Sequence, residues 1–367
     1  MTKIVFRADA SSHIGSGHVM RCLTLADTLT ALGAECHFIC REHSGSLIEY
    51  IRGKGYCVYA LEYVPPQASI AVPSVEPQLV HSAWLGSTQA QDAIECAGVL
   101  SELQPDWLIV DHYALDVQWE TALQPYYRKL MVIDDLADRV HVCHLLLDQN
   151  LGRKEQDYAG LVPDYCQIFV TPQFALLRPE FAELREYSLN RRANPQLKHL
   201  LITMGGVDQP NATCQVLEAM RGCPLPADCR ITVVMGAAAP WLAQVQAQAA
   251  LMPWPTEVLV NIDDMAQRMA DSDLAIGAAG STSWERCCLG LPSIVLVLAD
   301  NQRFISFQLD RAGAASALHL SVDWLGTLHQ LIGQYFKPEN LAQMSAAAAK
   351  VCDGLGAQRI GNKLYEQ

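Results

Sequence analysis

Short apolar runs alternate with longer amphipathic stretches along this chain, an arrangement typical of βαβ units built on parallel sheets. Ile4, Val5 and Phe6 form the first predicted strand. Residues 19–32 place apolar side chains on one side of a predicted helix that stops at Gly33. The same pattern predicts strands at 36–40, 57–61, 107–110, 130–133 and 145–148, helices at 46–52 and 88–103, and a proline-rich loop at 64–77.

The alternation restarts after a segment of different character. Residues 176–195 carry many charges and weak periodicity, so we expect them to connect an N-terminal domain at 1–175 to a C-terminal domain at 196–367. Two similar α/β domains that face a common cleft are therefore predicted. The second domain is predicted to hold strands at 200–203, 230–235, 257–260, 274–276 and 293–296, helices at 211–220, 241–251, 263–270, 283–289 and 303–312, and a helical tail from 325.

Composition and charge exclude several classes of function. The 367 residues include 26 Lys and Arg against 39 Asp and Glu, and a chain with a net charge of −13 repels nucleic acid. The longest aliphatic run, 294–299, is far shorter than the roughly 20 residues of a membrane span. The first residues lack an export signal and the 13 cysteines form no C-x-x-C pair, so we expect reduced thiols in a cytoplasmic protein. No pattern fixes the oligomeric state, and a monomer is favoured.

A glycine-rich turn follows the first predicted strand and leads directly into a helix. It contains Gly15 and Gly17, whose small size lets a ligand approach the backbone, and His18 follows at the predicted helix start. A neutral histidine there can take a proton from water or from a hydroxyl group. The alternative is that His18 only caps the helix or packs against it. The spacing G-x-G-H differs from the dinucleotide-binding pattern, because no acidic residue stands where a ribose partner is expected.

Two more glycine turns follow predicted strands in the second half. Gly205 and Gly206 form one of them. The other combines Gly280 with the hydroxyl groups of Ser281 and Thr282 at a predicted helix start, a composition that suits a diphosphate. The second turn is therefore the stronger candidate for a phosphate-binding loop.

Other candidate groups stand near the predicted strand ends. Glu285 is either an ordinary helix-start glutamate or an acceptor for the two hydroxyl groups of a ribose. Asn301 and Gln302 follow the last predicted strand of the second half, and Asp111 and Tyr113 close a strand of the first. Ligands of open α/β sheets bind at these carboxyl edges.

No set of residues stands at the spacing of a metal site, so neither a metal nor a cofactor is expected. The adjacent carboxylates Asp134 and Asp135 are where a magnesium ion would be sought first. The nucleophile elbow of serine hydrolases, the P-loop lysine and the zincin motif are absent, which disfavours those three enzyme classes.

Taken together, seven motifs resemble one protein family. They are residues 6–9 (FRAD), 15–22 (GSGHVMRC), 84–86 (WLG), 110–113 (VDHY), 133–135 (IDD), 148–150 (DQN) and 277–285 (GAAGSTSWE). The family is the UDP-2,4-diacetamido-2,4,6-trideoxy-β-L-altropyranose hydrolases of bacterial pseudaminic acid biosynthesis. Residues 261–285 are also similar to the UDP-GlcNAc transferase that makes peptidoglycan lipid II. The resemblance implies the GT-B fold, in which two Rossmann-like domains face a nucleotide-sugar cleft.

The resemblance also implies a reaction and roles for the matched residues. Water would attack the anomeric carbon of a UDP-sugar with inversion and release UDP, without a metal. His18 would activate that water, and Tyr113 would lie near the reacting sugar. Helix N-termini, with Arg7 or Arg21, would supply positive potential to the diphosphate. The residues expected to bind substrate are Gly15, Gly17, Arg21, Asp111, Gly205, Gly206, Ile262, Gly280, Ser281, Thr282, Glu285, Asn301 and Gln302.

Three alternatives remain open at this point. A glycosyltransferase of the same fold would place an acceptor sugar where the hydrolase places water, but no apolar or basic membrane-facing patch marks a lipid-linked acceptor. A UDP-GlcNAc 2-epimerase shares the fold. A catalytically silent nucleotide-sugar binding module is the third, and the presence of His18 argues against it.

Overall fold

The computed structural model of the protein describes residues 1–63, 79–223, 225–237, 239–320, 324–335 and 337–366, and the predicted loop at 64–77 lies outside them. The described chain forms two compact units. The first comprises Met1–Leu176 together with the C-terminal residues from Gly356 onward, and the second comprises Leu177–Leu355. Each unit is built on one parallel sheet.

The sheet of the first unit has seven strands in the order β3-β2-β1-β4-β5-β6-β7. The strands are β1 (Lys3–Ala8), β2 (Glu35–Arg41), β3 (Cys57–Leu61), β4 (Trp107–Asp111), β5 (Lys129–Ile133), β6 (Leu145–Asp148) and β7 (Gln167–Val170). The helices that connect them are α1 (Gly17–Ala31), α2 (Ile48–Gly53), α3 (Gln89–Leu103) and α4 (Val117–Leu123). The central strands are apolar on both faces because helices cover the sheet from both sides.

The sheet of the second unit has six strands in the order β10-β9-β8-β11-β12-β13. They are β8 (His199–Thr203), β9 (Arg230–Met235), β10 (Thr256–Val260), β11 (Leu274–Ala278), β12 (Ser293–Val297) and β13 (Ser316–His319). The helices of this unit are α5 (Pro179–Glu183), α6 (Arg185–Arg191), α7 (Ala212–Met220), α8 (Leu242–Ala249), α9 (Met265–Asp271), α10 (Thr282–Cys288), α11 (Arg303–Arg311), α12 (Trp324–Tyr335) and α13 (Pro338–Ala349). In both sheets the strand order reverses next to the first strand, between β1 and β4 and between β8 and β11.

The last helix, α14 (Gly356–Tyr365), belongs to the first unit although it ends the chain. Its buried side chains Ile360 and Leu364 join the same apolar cluster as Leu25 and Leu29 of α1. Burial of an aliphatic side chain contributes about 1.5–3 kcal/mol, so this face anchors the C-terminus to the first sheet.

The predicted strands and helices within the described residues are present, and the domain division differs from the predicted boundaries in two places. The segment 176–195 contains α5 and α6, which pack within the second unit, and α14 joins the first unit. The pattern also missed α4, β7 and β13. The strands β7 and β13 lie at sheet edges, each is only four residues long, and most of their residues are partly or fully exposed.

All thirteen cysteines are free thiols, as predicted. Cys57 is exposed, Cys166 is partly exposed and each of the others is buried. Among the described residues, no helix combines the length and apolar character that crossing a bilayer would require.

Candidate active site

The histidine predicted as a base lies where the strand order of the first sheet reverses. His18 is the second residue of α1, the helix that follows β1. Asp111 is the last residue of β4 and stands in register with Ala8 at the end of β1. Ligands of parallel α/β sheets bind at this position, outside the carboxyl ends of the strands. The fold thus joins two residues that are 93 positions apart in the sequence.

A buried carboxylate holds the His18 imidazole. The Nδ1 atom of His18 lies 2.6 Å from Asp111 Oδ1, and the histidine side chain is 10% exposed. Burial acts to raise the pKa of Asp111, but Arg21 and His18 hold that pKa well below its usual range. An ionised carboxylate only accepts hydrogen bonds, so Nδ1 carries the hydrogen and a neutral ring keeps its lone pair on Nε2. A base acting on water needs this tautomer.

Arg21 fixes the carboxylates around His18. It lies one turn further along α1 and donates from Nε and Nη2 to the two oxygens of Asp111 at 2.5 and 2.6 Å. Its Nη1 atom lies 2.8 Å from Asp135 Oδ2. All three guanidinium nitrogens therefore face carboxylates of the first unit, and Arg21 does not present an unpaired charge to a diphosphate.

The other arginine expected to serve the diphosphate, Arg7, is a core residue. Its side chain is fully buried, and it pairs with Asp9 at 2.6 Å and with Asp92 at 2.7 Å. Because these carboxylates balance its charge inside the first unit, the structure gives no support to the expected role of Arg7.

Aromatic rings cover one side of His18. The Tyr113 ring meets the His18 ring edge-on with centroids 4.7 Å apart, and the Tyr113 hydroxyl donates to Asp135 Oδ2 at 2.5 Å. Burial and the Asp135 carboxylate raise the pKa of Tyr113 well above its usual value, so the hydroxyl stays protonated. The Trp84 ring stacks on the Tyr113 ring with centroids 5.7 Å apart, and the centroids of the His81 and Trp84 rings are 4.4 Å apart. The result is an aromatic wall beside the base.

The glycine loop before α1 is held by its own hydrogen bonds. Gly15 has a φ of +81° and donates its N–H to the Ser11 carbonyl at 2.9 Å. Glycine adopts this left-handed conformation without strain, so Gly15 shapes the turn that leads into the helix. Gly17 is the first residue of α1 and directly precedes His18.

Asp111 and Asp135 have roles that the sequence did not assign to them. Asp111 was expected to bind substrate, but it is fully buried and faces His18 and Arg21. Asp135 was considered only as part of a carboxylate pair, and it accepts from Tyr113 and pairs with Arg21. Its position just after β5, the neighbour of β4, was the signal available in the sequence.

The glycine turns of the second unit also lie at its strand-order reversal. Gly205 and Gly206 follow β8, and Gly280, Ser281 and Thr282 follow its neighbour β11. Gly205 has a φ of +90° and Gly280 a φ of +150°, both in the region that favours glycine. Ser281 is exposed and Thr282 is partly exposed. The structure thus brings the two turns to one edge of the sheet, and the assignment of the Gly280 turn to a diphosphate stays a prediction.

Glu285 lies in the first turn of α10 and is partly buried. Burial raises its pKa to about 7, against the lowering influence of Arg178 and Arg286. A carboxyl group with this pKa changes its charge near neutral pH.

The remaining predicted contacts also lie at the carboxyl edge of the second sheet. Ile262 is partly exposed and follows β10. Gln302 accepts from the backbone N–H of Leu298 at 2.8 Å through Oε1, which ties it to the end of β12. Asn301 lies in the short helix Asp300–Gln302, and its side chain is outside the described part of the structure.

The described residues contain no group of three or more His, Cys, Asp or Glu side chains arranged to hold a metal ion. Asp134 pairs with Arg139 at 2.8 Å and accepts from the Tyr158 hydroxyl at 3.0 Å. The carboxylates considered for magnesium are thus engaged with protein groups.

Comparisons with known proteins agree with this architecture. Residues 200–360 match the family described as the glycosyltransferase family 28 C-terminal domain. The chain is 27% identical over 313 residues to the UDP-2,4-diacetamido-2,4,6-trideoxy-beta-L-altropyranose hydrolase of Campylobacter jejuni, a match that covers 85% of this chain and 97% of the relative. It is 25% identical over 310 residues to an uncharacterized protein of Methanocaldococcus jannaschii, covering 82% of this chain and 57% of that longer protein.

A solved structure shows the same fold. The crystal structure of Acinetobacter baumannii MurG superposes with a TM-score of 0.72 at 16% identity and covers 100% of both chains. The chain therefore has the GT-B fold, and the predicted fold class is confirmed. The predicted similarity to the altropyranose hydrolase is confirmed as well.

Proposed function

We propose that this protein hydrolyses a UDP-linked 2,4-diacetamido-2,4,6-trideoxy sugar to UDP and the free sugar, as a step of pseudaminic acid biosynthesis. The similarity to the Campylobacter jejuni hydrolase supports the substrate class. The observation that carries the reaction is the hydrogen bond of 2.6 Å between His18 Nδ1 and Asp111, because it leaves Nε2 of a neutral ring available to accept a proton.

The proposed step forms one C–O bond, breaks another and transfers one proton. Water attacks the anomeric carbon while its proton passes to His18 Nε2. The anomeric C–O bond breaks, and its electrons stay on the diphosphate oxygen, which leaves as UDP. The sugar keeps the oxygen of the water, with inverted configuration. Removal of the water proton by a positioned base contributes about 10²–10⁴-fold to such a rate.

The protein groups around His18 prepare it for this step. Asp111 fixes the tautomer and stabilises the imidazolium that forms when His18 takes the proton. Arg21 holds Asp111 in place, and the aromatic wall of Tyr113 and Trp84 is the surface on which we expect the sugar to lie. The methyl and ring C–H groups of the sugar suit this aromatic wall, since ligand pockets are lined mainly by apolar and aromatic side chains.

We propose that the second unit holds the UDP moiety. The turn of Gly280, Ser281 and Thr282 offers backbone N–H and hydroxyl donors for the diphosphate. Glu285, when ionised, can accept hydrogen bonds from the two ribose hydroxyl groups. Backbone amides near the diphosphate would also stabilise the charge that develops on the leaving group.

A glycosyltransferase is the second candidate, because residues 200–360 match a glycosyltransferase family. A transferase would use the same UDP contacts but would require a sugar acceptor in place of water. The two activities are separated by what happens when no acceptor is present.

The test incubates the protein with the UDP-linked diacetamido-trideoxy sugar in buffer alone, with UDP-GlcNAc as a second substrate and a His18→Asn variant as the matched control. We expect equimolar UDP and free sugar from the first substrate, and almost none with the variant. Release of UDP only after an acceptor is added would identify a transferase. A sugar isomerised while still attached to UDP would identify an epimerase.

A further inference from the structure

One arginine in the second unit is buried without a counter-ion. The Arg286 side chain is 1% exposed. Its Nη2 atom donates to the Ala278 carbonyl at 2.9 Å and to Ser283 Oγ at 3.0 Å, both neutral acceptors. Its Nε and Nη1 atoms have no hydrogen-bond partner among the described residues. The preceding residue, Glu285, acts on Arg286 electrostatically. No carboxylate among the described residues forms an ion pair with Arg286.

Two other buried arginines show how unusual this is. Arg7 pairs with two carboxylates at 2.6 and 2.7 Å. The hydrogen bonds of Arg192 go to backbone carbonyls rather than to carboxylates. All three of its guanidinium nitrogens donate, at 2.7–3.1 Å. An uncompensated buried charge destabilises a protein, and replacing it with an apolar side chain of similar volume is often neutral or stabilising. Stability alone therefore does not account for an arginine at position 286.

Arg286 lies where the strand order of the second sheet reverses. Gly277 of β11 stands in register with Thr203 of β8. A Cβ atom added to Gly277 would be 2.6 Å from Arg286 Nη1 and 2.6 Å from the Thr203 carbonyl oxygen, so the guanidinium occupies space that only a glycine leaves open. Both glycine turns of the unit begin immediately after these two strands. The unpaired cation thus lies at the end of β11, beside the start of the turn that contains Gly280, where open α/β sheets bind ligands.

We propose that Arg286 provides the counter-charge for the diphosphate of the bound nucleotide. The proposal rests on the proposed function for the identity of the nucleotide, and it adds the residue that meets its charge. Arg21 and Arg7 are already balanced by carboxylates, whereas Arg286 has two unpartnered guanidinium nitrogens and a positive charge that no described carboxylate pairs with. A diphosphate supplies the anion that the protein does not.

The experiment compares the wild-type protein with Arg286→Met, which is neutral and of similar length, and with Arg286→Lys, which keeps the charge. Ser283→Ala is the matched control, because it removes a hydrogen bond of Arg286 without removing its charge. Binding of UDP, uridine and inorganic pyrophosphate is measured by calorimetry, and the unfolding midpoint of each ligand-free variant is measured in parallel.

We expect Arg286→Met to weaken UDP and pyrophosphate binding about 10- to 100-fold, the range for losing a hydrogen bond to a charged group. Uridine binding and the unfolding midpoint should not fall, and Arg286→Lys and Ser283→Ala should stay within a few-fold of wild type for UDP. Pyrophosphate binding that depends on Arg286 in a protein that does not bind uridine or UDP would contradict the nucleotide assignment while supporting this inference.

Wild-type UDP affinity in a folded Arg286→Met variant would overturn the inference. An equal loss of UDP and uridine binding would do so too, because it would show a general disturbance of the loops. If Arg286→Met does not fold, Arg286→Lys decides the question: a UDP loss in that folded variant as large as 10- to 100-fold, with Ser283→Ala unaffected, would exclude a role for charge. UDP affinity within a few-fold of wild type in a folded Arg286→Lys variant would support the inference in that case, because the positive charge is kept while the guanidinium group is lost.

Discussion

Each unit places an arginine near the point where its strand order reverses, but the two units treat the charge of that arginine in opposite ways. In the first unit, Arg21 meets the carboxylates of Asp111 and Asp135 at 2.5–2.8 Å. In the second unit, Arg286 meets only a carbonyl and a hydroxyl group, and the pKa of Glu285 beside it is raised by burial to about 7. The first unit balances its charges within the protein, whereas the second leaves a cation and a carboxyl group to be balanced by what binds.

This difference corresponds to two tasks. The proposed base, His18, must be held in one orientation and one tautomer before substrate arrives, and the fully paired carboxylate of Asp111 does this. A ligand-binding region gains affinity when the ligand supplies the missing charge, and it gives up some stability of the free protein for that gain. The comparison therefore predicts different consequences for corresponding changes in the two units.

The largest effect is expected from His18→Asn, which keeps a hydrogen-bonding side chain of similar reach but cannot take the proton. Turnover should fall about 10²–10⁴-fold, the range for a lost general base. UDP affinity should stay within a few-fold, because the second unit is proposed to hold the nucleotide. Steady-state kinetics and calorimetry on one preparation check this, with circular dichroism as the control for folding. Joint loss of turnover and UDP binding would make His18 a ligand or structural residue.

The next effect concerns stability. Arg21→Met should leave Asp111 and Asp135 buried without their cation and destabilise the first unit by about 3–5 kcal/mol, the cost of breaking a buried ion pair from one side. Arg286→Met, the same substitution in the second unit, should cost little or nothing. Denaturant unfolding of the two variants, followed separately for each unit, measures the contrast. Equal losses in both variants would show that the two arginines have the same structural task.

A smaller effect is expected on the pH dependence of stability and of UDP binding, through the ionisation of Glu285. Below its usual pKa of 4.5 the group is protonated in both the folded and the unfolded chain, and between 4.5 and about 7 only the folded chain keeps the proton. Its contribution to stability is therefore complete below 4.5 and is lost as the pH rises through about 7. Because the proposed contact with the ribose requires the ionised carboxylate, UDP binding should tighten up to about tenfold as the pH rises through that value.

The matched variant for this effect is Glu285→Gln. It has no charge to change, so its UDP affinity should show only the pH dependence of the nucleotide itself. Calorimetric titrations of both proteins across neutral pH measure the difference. Parallel pH profiles for wild type and Glu285→Gln would remove Glu285 from the nucleotide contacts.

The smallest effect is expected at the aromatic wall. Trp84→Ala removes the ring stacked on Tyr113, and contacts of this kind contribute about 0.5–1.5 kcal/mol. We expect KM for the UDP-sugar to rise about 2- to 10-fold while the affinity for UDP alone stays unchanged. Trp84→Phe, which keeps an aromatic ring, should recover most of the loss. A fall in kcat without a change in KM would mean that Trp84 acts only by packing against Tyr113.

The sequence predicted those parts of the molecule that depend on local patterns. Central strands such as β1 and β4 contain continuous apolar runs. In helices such as α1 and α3, apolar side chains repeat with the helical period. Both kinds of element were therefore predicted. The strands β7 and β13 were missed because each is only four residues long, and so short a segment gives no clear period. The return of α14 to the first unit was missed because its partners in α1 are more than three hundred residues away.

The candidate site divides in the same way. The Gly15 and Gly280 turns and His18 were found because a glycine turn that opens a helix is a local signal. The contact between His18 and Asp111 was not predicted, because it depends on the register of β1 with β4. Arg286 was not singled out, because its charge becomes informative only once its burial and its lack of a carboxylate partner are known.

The most direct test of the central claim follows the oxygen of water. The reaction with the UDP-linked diacetamido-trideoxy sugar is run in ¹⁸O-labelled water and stopped early, and mass spectrometry locates the label. A control with the free sugar alone corrects for spontaneous exchange at the anomeric carbon. The account predicts one labelled oxygen in the sugar, none in UDP, and loss of labelling in His18→Asn. Label in the phosphate of UDP, or sugar labelling that His18→Asn leaves at the wild-type rate, would contradict it.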